Sequence, residues 1–126
     1  MSIHKWVVSS AALLIIFSSA VLAEKEGLQS GYDKARDGYY NEAAEIFEPL
    51  AHKGSAEALF NLGLMYHGGM GVARDERTAV KLYHRAADIG NVLAQEYLAI
   101  GYKEGWFGLK KNKTKASYWQ KRSEKK

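Results

Sequence analysis

Residues 55–90 read SAEALFNLGLMYHGGMGVARDERTAVKLYHRAADIG, and they predict two antiparallel helices joined by a glycine-rich turn. Ala58, Leu62 and Tyr66 recur at intervals of four, the spacing of one face of a helix. A second apolar stripe follows the turn and comprises Ala79, Leu82, Tyr83, Ala86 and Ala87. Because many of these residues are small, the two helices can approach closely, and we interpret the stretch as one helical hairpin.

Polar residues that suit helix N-caps stand in front of the predicted helices. Ser55 and Asp75 precede the two helices of the hairpin, and Asn91 and Asn112 precede the next two. Asn41 holds the same place before the second helix of the preceding segment. A side-chain oxygen at such a position accepts one of the backbone N–H groups that the start of a helix leaves unpaired.

The pattern of residues 55–90 returns on both sides at a nearly constant spacing. A shift of 36 forward carries Leu62 to Leu98, and a shift of 36 back carries Tyr83 to Phe47. Periods of this size are typical of solenoids, in which each unit packs on its neighbours. We therefore predict an all-α protein, an α-α superhelix (solenoid) of about three helix-turn-helix repeats.

These positions resemble the Sel1-like repeat family, a relative of the tetratricopeptide repeats. Residues 55–90 match the family pattern throughout, whereas in residues 91–123, a Sel1-like repeat with C-terminal cap, Ala99 replaces a family glycine. Residues 24–54 resemble a tetratricopeptide-like first repeat, and residues 124–126 form a basic tail. The resemblance implies an array of helix pairs whose curved face binds a protein partner.

The N-terminal residues 1–23 have the pattern of a secretory signal peptide. Lys5 precedes an apolar run over residues 6–17, and residues 21–23, VLA, suit signal peptidase. We expect cleavage near Ala23 and a periplasmic or secreted protein; a retained membrane anchor is the alternative. The chain contains no cysteine, which excludes both a lipid-modified cysteine and disulfides.

The C-terminal end of the chain is strongly basic. Residues 110–126 contain eight basic residues and one acidic residue, whereas residues 24–109 contain nine basic and thirteen acidic residues. Because a terminal repeat must present a polar outer face to water, we interpret the lysines as a solvated cap. Contact between this lysine-rich end and an anionic membrane is a less favoured alternative, and nucleic acid is not an expected partner of an exported chain.

No motif for catalysis, a metal or a cofactor occurs in the sequence. His52, His67 and His84 lie on different predicted helices and lack the spacing of metal ligands. The glycines of residues 67–72, HGGMGV, lack the lysine and the preceding strand of a phosphate-binding loop. We therefore predict a protein that is not an enzyme and that requires no cofactor or metal.

The candidate partner-binding surface is the stripe of the first helices that faces away from the core, together with two adjacent aromatic residues in the last loop. Exposed aromatic side chains are enriched at binding hot spots. The predicted residues are Phe60, Leu64, His67, Glu96, Ile100, Lys103, Trp106 and Phe107. Two alternatives stay open: neighbouring helices cover the stripe, or one ring of the loop folds back under the last helix.

Three classes of function are compared. The favoured one is an exported periplasmic protein–protein interaction module, a scaffold or adaptor that binds a peptide or a protein edge on its concave face. The alternative is an immunity protein that neutralises a secreted antibacterial toxin, such as a lipase or a wall hydrolase. A hydrolase is the least favoured, since relatives with such a claim are rich in cysteine. The oligomeric state is left open.

Overall fold

The computed structural model describes residues 10–125, and the side chains of residues 12–125, as six α-helices joined by short connections. The helices are α1 Ser10–Arg36, α2 Tyr40–His52, α3 Ala56–Gly68, α4 Glu76–Ile89, α5 Val92–Glu104 and α6 Lys113–Ser123. No strand occurs in this part of the chain.

Each helix packs against the helix that precedes it and the helix that follows it along the chain. The pairs α1–α2, α3–α4 and α5–α6 form three hairpins, and the contacts of α2 with α3 and of α4 with α5 stack the hairpins in order. Because contacts run from neighbour to neighbour, one apolar core extends through the stack. The predicted all-α solenoid of three helical repeats is confirmed.

Helix α1 begins well before the first repeat, since the apolar N-terminal run and the first repeat helix form one continuous helix. The apolar side chains of its early turns are 49–71% exposed; they are Leu13, Leu14, Ile15, Ile16, Phe17, Val21 and Leu22. Leu28 is the first core residue of the described side chains. Residues 1–9 of the predicted signal peptide lie outside the described residues. Within residues 10–125, no helix is both long and apolar enough to cross a membrane.

Four of the five predicted N-caps are confirmed. Each accepts, at 2.8–3.3 Å, the backbone N–H of the residue three positions later; they are Ser55, Asp75, Asn91 and Asn112. These bonds fix where α3, α4, α5 and α6 begin.

The fifth prediction, Asn41, is wrong, because the turn after α1 runs directly into α2. Gly38 adopts φ 86°, and the Tyr39 N–H donates to the carbonyl oxygen of Lys34 at 2.8 Å. Tyr39 thus becomes the N-cap without any side-chain hydrogen bond, and Asn41 falls inside the first turn of α2.

The hairpin of α3 and α4 closes tightly because the ring of Tyr83 lies directly on Gly63. A Cβ atom at Gly63 would stand 2.6 Å from Cε1 of Tyr83, so only glycine leaves room for this ring. Tyr83 is fully buried, and its ring reaches from α4 towards the side of the stack formed by α3 and α5. This approach positions the site described below.

The loops after α3 and α5 share a backbone design. Gly69 and Gly105 end the two helices at φ 65° and 73°, and Gly71 and Gly108 follow at φ 72° and 70°. The second loop contains one more residue, and in it Phe107 adopts φ 59°. Residues other than glycine rarely adopt a positive φ, so the packing of the Phe107 ring must hold the backbone of this residue in place.

Candidate functional site

Five of the eight predicted partner-binding residues lie together around one cavity between α3 and α5. The cavity has a volume of about 340 Å³. We call it the aromatic pocket and define it by its lining residues, which are Leu64, His67, Tyr83, Tyr97, Ile100, Trp106 and Phe107. Most of its wall is therefore aromatic or aliphatic.

The repeat brings the aliphatic residues of the pocket into register. Leu64 on α3 and Ile100 on α5 are equivalent positions of successive repeats, and their helices are the first helices of neighbouring hairpins. Leu64 is half-buried and packs against the core, whereas Ile100 is 41% exposed. The pocket thus has one firmly held wall and one that is open to solvent.

The two adjacent aromatic residues of the last loop take different roles. Trp106 is 55% exposed at the mouth of the pocket. The ring of Phe107 folds back onto α3 and α5, with its centroid 4.9 Å from that of His67 and 6.0 Å from that of Tyr97, whose ring is nearly parallel. One ring does fold back, as the second alternative held, but it packs on α3 and α5 rather than under α6.

Phe60 lies beneath the pocket and is 5% exposed. Its ring centroid lies 5.7 Å from that of Tyr83 and 5.2 Å from that of Tyr97. The expectation that Phe60 forms part of an exposed stripe is therefore wrong. The side chain stands one turn before Leu64, where Tyr83 and Tyr97 cover it, so its role is to support the pocket.

Glu96 and Lys103 are exposed on α5 and do not line the pocket. The Lys103 ammonium lies 3.9 Å from a carboxylate oxygen of Glu104, its neighbour in sequence. An exposed pair at this distance contributes little to stability, so the Lys103 ammonium can pair with other groups.

Two polar atoms in the wall of the pocket have no hydrogen-bond partner in the described part of the chain. They are the hydroxyl oxygen of Tyr83 and the Nδ1 atom of His67, and both are buried. Burial, with a smaller effect of Tyr97, raises the pKa of the Tyr83 hydroxyl well above its ordinary value. The hydroxyl therefore stays protonated and is available as a neutral donor and acceptor.

Helix α1 is tied to α3 by a small polar network. The Tyr32 hydroxyl donates to a Glu57 carboxylate oxygen at 3.2 Å and accepts from the Asn61 amide at 3.1 Å. Burial and the Glu57 charge raise the pKa of Tyr32. Every member of this network bonds to another member, which is what a structural link between two hairpins requires. Residues 10–125 contain no cluster of His, Asp or Glu side chains able to hold a metal ion.

The lysines of residues 110–125 are exposed and lie in the connection before α6, on α6 itself and, for Lys125, directly after it. Trp119 is the buried residue that fixes α6 to the stack, and the Arg122 guanidinium lies 5.5 Å from its ring centroid and 5.8 Å from that of Tyr118. The helix therefore has one packed aromatic face and one solvated basic face.

Sequence reasoning missed two residues of the pocket. The sequence pattern places Tyr83 in the core stripe alone and predicts no surface role for Tyr97. Tyr97 is equivalent to Asn61 by the shift of 36 and lies three positions before Ile100, so extending the stripe by one position would have included it. For Tyr83 the available signal was Gly63, which lets a long ring pass across α3.

A comparison with protein-family models finds the Sel1 repeat at residues 56–91 and 92–123, which together make up more than half of the chain. Protein sel-1 homolog 2 of Rattus norvegicus is 40% identical over 106 residues, a match that covers 71% of this chain and 15% of that protein. The DAP3-binding cell death enhancer 1 of the same species is 41% identical over 56 residues, or 44% of this chain and 11% of that protein.

Solved structures share the fold. A Sel1 repeat protein from Oxalobacter formigenes superimposes with a TM-score of 0.76 at 26% identity, over 82% of this chain and 43% of that one. A protective antigen of uropathogenic Escherichia coli strains that displays an SLR fold gives a TM-score of 0.70 at 28% identity, over 79% of this chain and 22% of that one.

The chain spans less than half the length of each of these relatives. Its two family matches coincide with the hairpins α3–α4 and α5–α6, which are the hairpins that build the aromatic pocket. Sel1 repeats mediate protein–protein interactions on a fold that is typically a non-catalytic scaffold. On the evidence of sequence and fold together, this chain belongs to the Sel1 repeat family.

Proposed function

We propose that this protein is an exported interaction module, a small scaffold or adaptor that holds a partner protein in the aromatic pocket between α3 and α5. The observation that carries the proposal is the exposure of Ile100 and Trp106, at 41% and 55%, at the mouth of a cavity with a firmly packed floor. Apolar side chains presented on a rigid base are the usual anchors of a binding surface.

A polypeptide partner fits the geometry and the family. The pocket opens on the side formed by the first helices of two stacked hairpins, which in helical solenoids provide an extended binding face. The rat relative that shares 41% identity over 56 residues is described as DAP3-binding, and it supports a protein ligand for this chain also.

The proposal of export rests on residues 1–23, with Lys5, the apolar run and the VLA sequence before Glu24. Residues 13–17 of that run are exposed, and none of its described side chains belongs to the buried core. Mass spectrometry of protein recovered from cell fractions tests export. We expect an N-terminus at Glu24 outside the cytoplasm; an uncleaved cytoplasmic chain would contradict it.

Site-specific photo-crosslinking in the producing cells tests the binding site. A photoreactive p-benzoylphenylalanine at Ile100 should crosslink to a partner protein, and the same group at Lys81, on the exposed side of α4, should not. Equal crosslinking from both positions, or from neither, would overturn the proposed site.

A pair of matched substitutions on α5 completes the test. Ile100→Asp should abolish capture, whereas Val92→Asp should leave it intact, since Val92 is 42% exposed but lies outside the pocket. Circular dichroism should show both variants folded. A single secreted toxin as the captured protein, bound one to one, would identify the immunity role instead of an adaptor role.

A further inference from the structure

The two residues of the aromatic pocket that carry unpartnered polar atoms pack against the same ring. The Phe107 centroid is 4.9 Å from that of His67 and 5.9 Å from that of Tyr83. Tyr83 is fully buried, and neither its hydroxyl nor the Nδ1 atom of His67 has a hydrogen-bond partner among the described residues. Buried polar groups are nearly always paired in folded proteins, so these two atoms point to a ligand that supplies the missing bonds.

The rest of the wall defines the shape of that ligand. Leu64, Tyr97, Ile100, Trp106 and Phe107 present aliphatic and aromatic surface, and no Asp, Glu, Lys or Arg is among the described residues that line the pocket. A cavity of about 340 Å³ lies at the lower end of the range for small-molecule sites. The ligand group is therefore flat and apolar over most of its surface, with a hydrogen-bonding group at its tip.

Among the amino-acid side chains, a phenol meets these requirements. The hydroxyl of a tyrosine both donates and accepts, so it can pair with the Tyr83 hydroxyl and with Nδ1 of His67 in either tautomer. Phenylalanine would leave both atoms unpaired, and the tryptophan N–H only donates. A charged tip would be buried without an opposite charge in the wall, which is costly.

The charges around the mouth indicate what flanks the phenol. Lys103 follows Ile100 by one helical turn and is held only by an exposed pair with Glu104. The Lys111 side chain runs over Gly105, beside Trp106. Lys103 in the last turn of α5 and Lys111 in the connection before α6 favour acidic residues in a segment that passes these lysines.

We infer that the aromatic pocket recognises a tyrosine side chain in an acidic segment of the partner protein. The inference rests on the proposed function and specifies its ligand. The hydroxyl of Tyr83 and Nδ1 of His67 bind the phenol, the aromatic wall receives the ring, and Lys103 with Lys111 attracts the flanking carboxylates.

The first test separates the phenol from the ring. Binding of p-cresol and of toluene, the side chains of tyrosine and phenylalanine, is measured on the full chain by NMR titration. We expect p-cresol to bind at least about fivefold more tightly than toluene. In Tyr83→Phe the affinities of the two compounds should lie within about twofold of each other. The control Tyr40→Phe removes an exposed hydroxyl of α2 outside the pocket and should keep the wild-type preference.

The second test establishes the polypeptide source. A fluorescent heptapeptide has a central tyrosine, a glycine on each side and two aspartates at each end; its match has phenylalanine at the centre. The tyrosine peptide should bind more tightly than p-cresol and more tightly than its match. The double variant Lys103→Ala, Lys111→Ala should bind the tyrosine peptide more weakly and should bind p-cresol as tightly as the wild type does.

Each outcome decides the inference. Equal binding of p-cresol and toluene, or no binding of either, overturns it, and binding of p-cresol with no gain from the peptide shows a site for small phenols instead. If Ile100→Asp abolishes partner capture in cells while Tyr83→Phe does not, the proposed function stands and the tyrosine specificity fails. Thermal unfolding of Tyr83→Phe excludes misfolding, because the loss of an unpaired buried hydroxyl should not lower the melting temperature.

Discussion

At the scale of single residues, Gly63 determines where the ring of Tyr83 can lie. An added Cβ would stand 2.6 Å from Cε1 and 2.8 Å from Cδ1 of that ring, which is fully buried and packs against Phe60, Tyr97 and Phe107. We expect Gly63→Ala to lower the free energy of unfolding by about 1–3 kcal/mol in urea titrations, as overpacked cores do.

A second helical glycine provides the control for Gly63. A Cβ at Gly27 in α1 would meet the flexible end of Leu50 at 3.1 Å. Gly27→Ala should lower the free energy of unfolding far less, since alanine is more favourable than glycine inside a helix by about 1 kcal/mol. Equal losses from the two substitutions would show that the ring of Tyr83 does not require the glycine.

Phe60 and Leu64 share a predicted stripe but differ in burial. Alanine substitutions at the two positions should therefore differ in their effect on the free energy of unfolding. Phe60→Ala removes a ring from beneath Tyr83 and Tyr97 and should cost about 3–5 kcal/mol of unfolding free energy. Leu64→Ala should cost clearly less, because the Leu64 side chain is only half-buried. Thermal and urea unfolding of both variants measure the difference. Equal losses would place Leu64 in the core and weaken its assignment to the pocket wall.

At the scale of helices, the N-cap of α4 should make stability depend on pH. The Thr78 hydroxyl and backbone N–H donate to the Asp75 carboxylate at 2.7 and 3.1 Å, and these bonds lower the pKa of Asp75 below its ordinary value of 3.8. The folded state thus binds this proton less readily than the unfolded state does. The contribution is complete above pH 3.8 and is lost as the pH falls through the lowered pKa.

Asp75→Asn isolates this effect, because asparagine also caps helices well. The melting temperatures of the two proteins should converge as the pH falls from 5 to 2, since the wild type alone loses a charged cap. Asn112 caps the equivalent helix α6 with an amide at 3.0 Å, so the fold accepts this residue at the position. A difference in melting temperature between the two proteins that stays constant with pH would contradict the lowered pKa of Asp75.

Helices and caps could be predicted from the sequence because their causes are local. Asn91 and Asn112 cap helices through bonds to residues three positions away, and the stripe of residues 55–90 follows one helix. Asn41 failed because the turn at Gly38 decides where α2 begins. The pocket was only partly predictable, since Tyr83 reaches it across α3 and the ring of Phe107 depends on a left-handed backbone that tertiary packing supports.

At the scale of the whole molecule, the stack depends on the contacts that join its hairpins. His84 of α4 meets both helices of the last hairpin: its Nε2 atom lies 3.1 Å from the Tyr102 hydroxyl, and its ring centroid lies 5.8 Å from that of Trp119. The neighbouring charges are Asp88 on its own helix and Lys115 on α6. One partly buried imidazole therefore links the second repeat to the third.

Protonation of this imidazole should loosen the end of the solenoid. Burial lowers the pKa of His84 below 6.5; Lys115 acts in the same direction, and Asp88 opposes it. The unfolded chain therefore binds the proton more readily, so stability is complete above pH 6.5 and declines as the pH falls towards the lowered pKa.

Urea titrations between pH 7.5 and 5 measure this decline. His84→Gln keeps a neutral hydrogen-bonding group beside Tyr102 but cannot be protonated, so the variant should lose less stability than the wild type over this range. Because Trp119 of α6 packs on His84, the protection factors of amide exchange, which are corrected for the intrinsic effect of pH, should fall first in α6 at low pH, and more in the wild type than in the variant. Parallel pH profiles of the two proteins would show that the junction of the last two hairpins does not respond to this proton.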